Sequence, residues 1–361
     1  MFTTNSDKLI LLNLNDGKVL FEQNANEPAA VASLTKIMTA ILTLENGNKS
    51  DTVTITAEML EGLNEFVVAG LQVWQTPTVE ELLYLTLLPS DGDAAQALAI
   101  YNAGSIENFA NLMNQKAAEL GMTNTHFSNP VGLDTDNYST ARDIATLLNY
   151  AIQNPEFKTI FETYSYYSPT LGKTAEKTIA KNEVILGAKT GFTYSAGRCL
   201  ASTANLNNVP YLLVNLNADY ATNNHVTDAL TVYNYFATNY GYKTIKAAGE
   251  NYLTLGVLDS ATTSMDFAAK ENIEAYLKND FDLASLTYNY EGVNPITNDN
   301  YVGEQLGTLQ IKNQDEVLYE TAIYFETAID FYPYWLWNTG VVAGVIVIVL
   351  AVVGVVVKNR K

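Results

Sequence analysis

The chain has 361 residues, 48% of them hydrophobic, with one cysteine, two histidines and a formal net charge of −19. That length accommodates two domains, and the acidic balance argues against nucleic-acid binding through a basic face while fitting an extracellular protein kept soluble by self-repulsion. A single cysteine excludes an intrachain disulfide, and two histidines without a Cys/His cluster argue against a histidine-rich or thiolate metal site.

Residues 1–7, Met-Phe-Thr-Thr-Asn-Ser-Asp, contain no apolar stretch of the kind a secretion signal needs, so no signal peptide is expected within this chain. Residues 8–14 and 19–23 predict a hairpin around Asn15-Asp16-Gly17-Lys18. A helix is expected over 33–44, opening on Ser33-Leu34-Thr35-Lys36. Positions three apart share a helix face, so the Lys36 amine can lie beside the Ser33 hydroxyl. A serine is a poor nucleophile until a base takes its proton, and an amine is a base only when burial or a neighbouring cation lowers its pKa. Ser-x-x-Lys alone is a weak signal.

Helices are expected over 79–87 and 93–101, flanking Leu87-Leu88-Pro89-Ser90-Asp91-Gly92-Asp93. Ser105 can cap a helix carrying Ile106, Phe109, Met113, Ala117 and Leu120 on one side and ending before Gly121. His126 precedes an Asn-Pro turn and reads as structural, and a further helix covers 140–153. Lys189-Thr190-Gly191 is expected on a strand, because the following runs 198–206 and 209–217 form a hairpin around Asn207-Asn208. On that strand the lysine and threonine can face a substrate carboxylate and the glycine permits close backbone approach, although the tripeptide alone could equally be an ordinary strand. Cys199 reads as a small buried apolar residue. A late helix over 225–239 can pack on the sheet, giving an α+β arrangement with a mainly antiparallel sheet built from both chain ends.

After about residue 241 short alternating runs, such as 252–258, 283–290 and 305–311, suggest a small β-rich domain. Residues 340–357 carry no charge and would span roughly 27 Å as a helix, close to a hydrocarbon core. Tyr332, Tyr334, Trp335 and Trp337 precede this stretch and Lys358, Arg360 and Lys361 follow it. The aromatic belt and the terminal cations predict a single span with a cytoplasmic C-terminus and everything before it on the extracytoplasmic face.

Taken together, Ser33 to Lys36, the Ser-x-Asn-like Ser90 to Gly92 and Lys189-Thr190-Gly191, in this order, resemble the signature of penicillin-binding proteins and serine β-lactamases. Four flanking words narrow the resemblance: Asp16-Gly17-Lys18-Val19-Leu20, Thr78-Val79-Glu80-Glu81-Leu82-Leu83, Phe127-Ser128-Asn129-Pro130-Val131-Gly132-Leu133-Asp134 and Tyr138-Ser139-Thr140-Ala141-Arg142-Asp143. Over residues 8–330 the chain is similar to D-alanyl-D-alanine carboxypeptidases, the low-molecular-mass penicillin-binding proteins. This implies a β-lactamase/transpeptidase-like α+β domain at 1–240, a β-rich domain at 241–328, an aromatic linker at 329–338, a transmembrane helix at 339–357 and a cytoplasmic tail at 358–361.

The resemblance further implies a membrane-anchored enzyme that trims peptidoglycan stem peptides ending in D-Ala-D-Ala through an acyl-enzyme on Ser33. Lys36 would be the base and Ser90 a proton relay. The backbone N–H groups of Ser33 and Phe192 would form the oxyanion hole. Lys189, Thr190, Gly191, Phe192 and Gly92 would bind substrate. The implied partners are the stem peptide, β-lactam antibiotics as covalent inhibitors and the lipid bilayer, with no nucleic acid, metal or cofactor. Two departures stand out. Gly92 occupies the usual asparagine position, and no arginine lies between Arg198 and Arg360, so Lys189, Thr190 and Arg198 would have to hold the terminal carboxylate. The alternatives are a β-lactamase-like hydrolase, although no Glu-x-x-Leu-Asn element lies between the second and third motifs, and a catalytically weak or inactive penicillin- or wall-binding protein.

Overall fold

The computed structural model describes residues 2–63, 67–133, 136–220 and 222–331. The chain divides into two compact units, Met1–Thr238 and Asn239–Lys361.

The first unit is built on strand β1 (Lys8–Asn13), Lys-Leu-Ile-Leu-Leu-Asn, buried at every position. A strand apolar on both sides needs cover on both faces. β1 pairs with β2 (Val19–Gln23) and, across the sheet, with a strand from the other end of the unit. The short β3 (Ala29–Ala30) leads into a 3-10 turn, Ala32–Thr35, and then into helix α1 (Lys36–Asn46). The helix was expected to begin at Ser33; instead Ser33 lies in the tighter turn before it. Ala32 enters that turn at φ 46°, a left-handed conformation that blocks regular α geometry there.

Helices α2 (Val79–Leu87), α3 (Gly92–Ala103) and α4 (Ile106–Glu119) follow. Thr78 and Ser105 cap α2 and α4 through their side-chain oxygens. Alanines of α3, including Ala94, Ala95, Ala97 and Ala99, are fully buried; their small size lets α1, α2 and α4 pack closely around it. β4 (Tyr138–Ser139) pairs with β3, and Thr140 caps α5 (Ala141–Ala151). Neither α6 (Pro155–Glu162) nor the hairpin of β5 (Ser165–Ser168) and β6 (Lys173–Glu176) was anticipated from the sequence. The helix signal was present, since Asn154 caps α6 with Pro155 in its first turn. Buried Glu81 of α2 ties this hairpin down, accepting from the Thr170 N–H at 3.0 Å and the Thr170 hydroxyl at 2.8 Å.

β7 (Ile185–Thr193), β8 (Gly197–Leu206) and β9 (Val209–Ala218) complete an antiparallel sheet of order β2-β1-β9-β8-β7. Asn207 and Asn208, at φ 53° and 63°, form the left-handed turn between β8 and β9. Side chains alternate across the sheet. Ile10, Leu12, Leu212 and Val214 join the large core shared with α1 to α6. Tyr211 turns the other way and meets Tyr233 of α7 (Asn224–Asn239), whose hydroxyl bonds Ser202. Helices therefore lie on both faces.

Among its described residues the second unit holds three small antiparallel sheets. β10 (Tyr240–Lys246) pairs with β13 (Ile273–Lys278), and β11 (Asn251–Gly256) with β12 (Ser264–Ala268). β14 (Thr287–Gly292), β15 (Gln305–Asn313) and β16 (Glu316–Tyr324) form a meander. The alternating run at 283–290 is strand only from Thr287, because Asp282 accepts the Ala284 N–H and starts a 3-10 turn, Leu283–Ser285. The transmembrane helix at 339–357, the tail at 358–361 and most of the linker at 329–338 lie outside the described residues. Among the described residues no helix is long and apolar enough to cross a membrane.

Candidate active site

The turn bearing Ser33 sits against edge strand β7. A Cβ on Gly191 would stand 2.9 Å from the Val31 carbonyl and 3.1 Å from the Ser33 backbone nitrogen, so only glycine allows this approach. On the other side Gly132, at φ +85°, abuts the Ala32 carbonyl, where a Cβ would lie 2.0 Å from the oxygen. Two glycines thus clamp the strained turn.

The turn keeps Ser33 and Lys36 on one face, and the Lys36 Nζ donates to the Ser33 Oγ at 3.0 Å and to the Val131 carbonyl at 2.9 Å. Val131 is held by an amide network. Asn129 Oδ1 accepts from the Val131 and Gly132 N–H groups. Buried Asn137 accepts from Ser128 and donates to the Asn129 carbonyl and the Thr35 hydroxyl. Lys36 is wholly buried, and the loss of solvent brings its amine down to about 7, against the opposing pull of Asp91 and Asp93. An amine at that value is about half neutral at pH 7, and the neutral form can accept a proton.

Ser90 adopts φ 75°, and its Oγ is buried with no hydrogen-bond partner among the described residues. Asp91 is buried beside it. Burial first, and the Asp93 charge second, push its carboxyl up to about 7, against the attraction of Lys173, Lys36 and Lys189. Asp93 itself accepts from the N–H groups of Ala69, Gly70, Leu71 and Ala94 and fastens the 69–71 segment to α3. Gly92 begins α3 and donates its N–H to the Val67 carbonyl at 2.8 Å.

Lys189 is 1% exposed and donates to the Thr190 carbonyl at 2.9 Å. Burial, then the Lys36 and Lys177 charges, hold its amine well below the usual range. Thr190 shares a 2.6 Å hydrogen bond with Thr178. A cleft of about 1150 Å³ runs along this edge, lined by Ser33, Ser90, Thr190, Gly191 and Phe192, with Arg198 and His225 further along. Lys36, Lys189 and Gly92 do not line it; Lys36 reaches it through Ser33. Val131, Asn137 and His225 are the parts that sequence reasoning missed. Cys199 is buried, its thiol pushed up to about 12 by burial. Among the described residues no group of three or more His, Cys, Asp or Glu could hold a metal ion.

A model of the S11 peptidase family, described as D-alanyl-D-alanine carboxypeptidase, matches residues 2–220. The D-alanyl-D-alanine carboxypeptidase DacF of Bacillus subtilis is 29% identical over 331 residues, covering 87% of this chain and 83% of that one. A D-alanyl-D-alanine endopeptidase of Pseudomonas aeruginosa is 35% identical over 237 residues, covering 62% of this chain and 74% of that protein. Among solved structures, penicillin binding protein 5 from Haemophilus influenzae superposes with a TM-score of 0.69 at 21% identity, covering 91% of this chain and 98% of that one, a likeness that speaks for the fold.

Proposed function

The chain belongs to the D-alanyl-D-alanine carboxypeptidase family and is a serine-type D-Ala-D-Ala carboxypeptidase, and from that premise we propose that Ser33 is its nucleophile and Lys36 the base that activates it. The observation that carries this reading is the 3.0 Å bond between the Lys36 amine and the Ser33 hydroxyl, in a site whose burial brings the amine down to about 7. Ser33 Oγ attacks the carbonyl between the two terminal D-alanines and gives its proton to Lys36 Nζ. The tetrahedral oxyanion forms against the backbone N–H groups of Ser33 and Phe192, which carry the developing charge. The C–N bond then breaks, and the leaving D-Ala amine takes up a proton from Lys36 through Ser90, whose unpartnered hydroxyl suits a relay. Water attacks the acyl-enzyme in the second half-reaction, giving its proton to Lys36; the acyl C–Oγ bond then breaks, and Lys36 returns that proton to Ser33 Oγ.

Thr190 and Gly191 bind the substrate along β7, with Phe192 at the rim, and the Lys189 amine lies beneath them. Gly92 supplies no side chain where the family usually has an amide, so positioning falls to the rest of the cleft. β-Lactams acylate the same serine. The tail at 339–357 anchors the enzyme in a bilayer with residues 358–361 in the cytoplasm and the catalytic unit outside, supported by its uncharged length and flanking aromatics and cations.

Fluorescent penicillin tests the site directly. The purified protein should be labelled covalently, with the adduct on Ser33 by mass spectrometry. Ser33→Ala should abolish labelling with thermal unfolding nearly unchanged. An adduct on Ser90 would overturn the assignment.

A further inference from the structure

The turn that joins β7 to β8 leaves a row of aromatic rings in solvent at the end of the cleft. Phe192, Tyr194 and Tyr220 are 43%, 85% and 57% exposed. They touch in series: Phe192 and Tyr194 meet edge to face with centroids 5.6 Å apart, and Tyr194 meets Tyr220 in the same way at 6.1 Å. Large rings left side by side in water mark a surface that takes a ligand. The row is also fixed in place. The Thr193 hydroxyl accepts the Ala196 N–H at 3.0 Å and shares a 3.1 Å bond with Ser195, which stiffens the turn beneath Tyr194. Arg198 stacks on the Phe192 ring, 5.4 Å from its centroid, and its Nε donates to the Tyr220 carbonyl at 3.2 Å, tying both ends of the row. Rings held in this way lose little freedom on binding. Tyr194 lines the cleft that Ser33 opens into, so the row continues the substrate channel.

Distance from Ser33 selects the occupant. Gly191 abuts the Ser33 turn. Tyr194 follows three residues later, roughly 10 Å along an extended chain, and the Tyr220 ring stands 6.1 Å from the Tyr194 ring. With its D-alanine end toward Lys189 and Thr190, an extended stem leaves Ser33 in the direction of Phe192 and Tyr194. In a pentapeptide stem the four residues on the acyl side of the scissile bond span roughly 13–14 Å. What stands at that distance is the sugar to which peptidoglycan attaches the stem. A pyranose has a face of C–H groups edged by hydroxyls and amides, and tyrosine offers an apolar ring with a polar tip to match it. We propose that Tyr194 and Tyr220 form a saccharide subsite that stacks an N-acetylated sugar of the glycan strand, so that the enzyme prefers stems attached to their glycan over free peptides. The proposal rests on the carboxypeptidase reading of Ser33, with the stem lying along β7.

The test uses one pentapeptide in two forms, free and carrying its disaccharide, and reads the ratio of kcat/KM for D-Ala release, glycosylated over free. Wild-type protein should favour the glycosylated form by about tenfold. Tyr194→Ala and Tyr220→Ala should each lower the ratio by about three- to fivefold, through KM for the glycosylated form, and Tyr194→Phe, which keeps the ring, should preserve it. A wild-type ratio near one, or an unchanged ratio in folded Tyr194→Ala, overturns the saccharide subsite and leaves the nucleophile assignment standing. Equal losses on both forms overturn it too, because the rings would then hold the peptide. A ratio that falls as far in Tyr194→Phe as in Tyr194→Ala overturns stacking as its basis. If Tyr194→Ala does not fold, an unchanged ratio in Tyr194→Gln overturns the subsite. Wild-type protein inert toward both forms overturns the carboxypeptidase reading and takes the subsite with it.

Discussion

Lys36 and Asp91 are both buried and feel each other's charge, each at about 7 for opposite reasons: burial lowers the amine and raises the carboxyl. The sign for activity follows from the base. In its proposed role as base Lys36 must be neutral to accept a proton, so penicillin acylation should fall about tenfold per pH unit below about 7. The Asp91 charge favours the ammonium form, so Asp91→Asn should move this acid limb downward by roughly 0.5–1 unit. A pH series of acylation rates measures both, and an upward move would mean that the carboxylate does not act on Lys36 through charge. Ser33, Lys36, Ser90 and Lys189 are legible in the sequence because the chemistry proposed for them needs fixed residue types at fixed spacings. Val131 is not, since it contributes a backbone carbonyl that any residue could supply. Asn137 hides beside a recognisable word and acts only through contacts that the fold creates.

The site is assembled where two elements meet, and small residues and amides hold them. Gly191→Ala would press a methyl against the Val31 carbonyl and the Ser33 nitrogen at 2.9 and 3.1 Å. Acylation should slow roughly tenfold or more through displacement of the nucleophile, more than stability suffers. Stopped-flow labelling beside thermal unfolding separates the two effects. Asn137→Ala strips Ser128, Asn129 and Thr35 of buried partners, and should cost about 3 kcal/mol in denaturant unfolding. Helix periodicity and caps mark α2, α4 and α5 in the sequence, and Asn207-Asn208 marks the β8–β9 turn. The 3-10 turn at Ser33 is hidden, because its cause is tertiary: Gly132 and Gly191 hold Ala32 in a conformation that local propensity disfavours.

At the scale of the whole chain, the first unit carries the entire cleft and its own core. Residues 1–238 expressed alone should therefore fold and take penicillin on Ser33; a fragment that unfolds cooperatively yet stays unlabelled would show that the second unit is needed for activity. Deleting residues from 339 onward should release soluble, penicillin-reactive protein, and continued membrane association after a high-salt wash would place the anchor elsewhere. The division of the chain shows in the sequence as a change from mixed helices and strands to short alternating runs, whereas nothing in composition reveals which strands pair. Here the central position of β1 has a kinetic meaning. Lys8 leaves the ribosome early, yet its partner Leu216 is made only after every helix of the core from α1 to α6. No stable sheet can close around β1 until then, so native contacts are paid for late and the folding transition is slow. During that interval the β1–β2 hairpin waits with the β9-facing edge of apolar β1 open, a state vulnerable to pairing between chains. Penicillin reactivity should accordingly arise in growing chains abruptly, once β9 has emerged, and refolding yield should fall steeply with protein concentration.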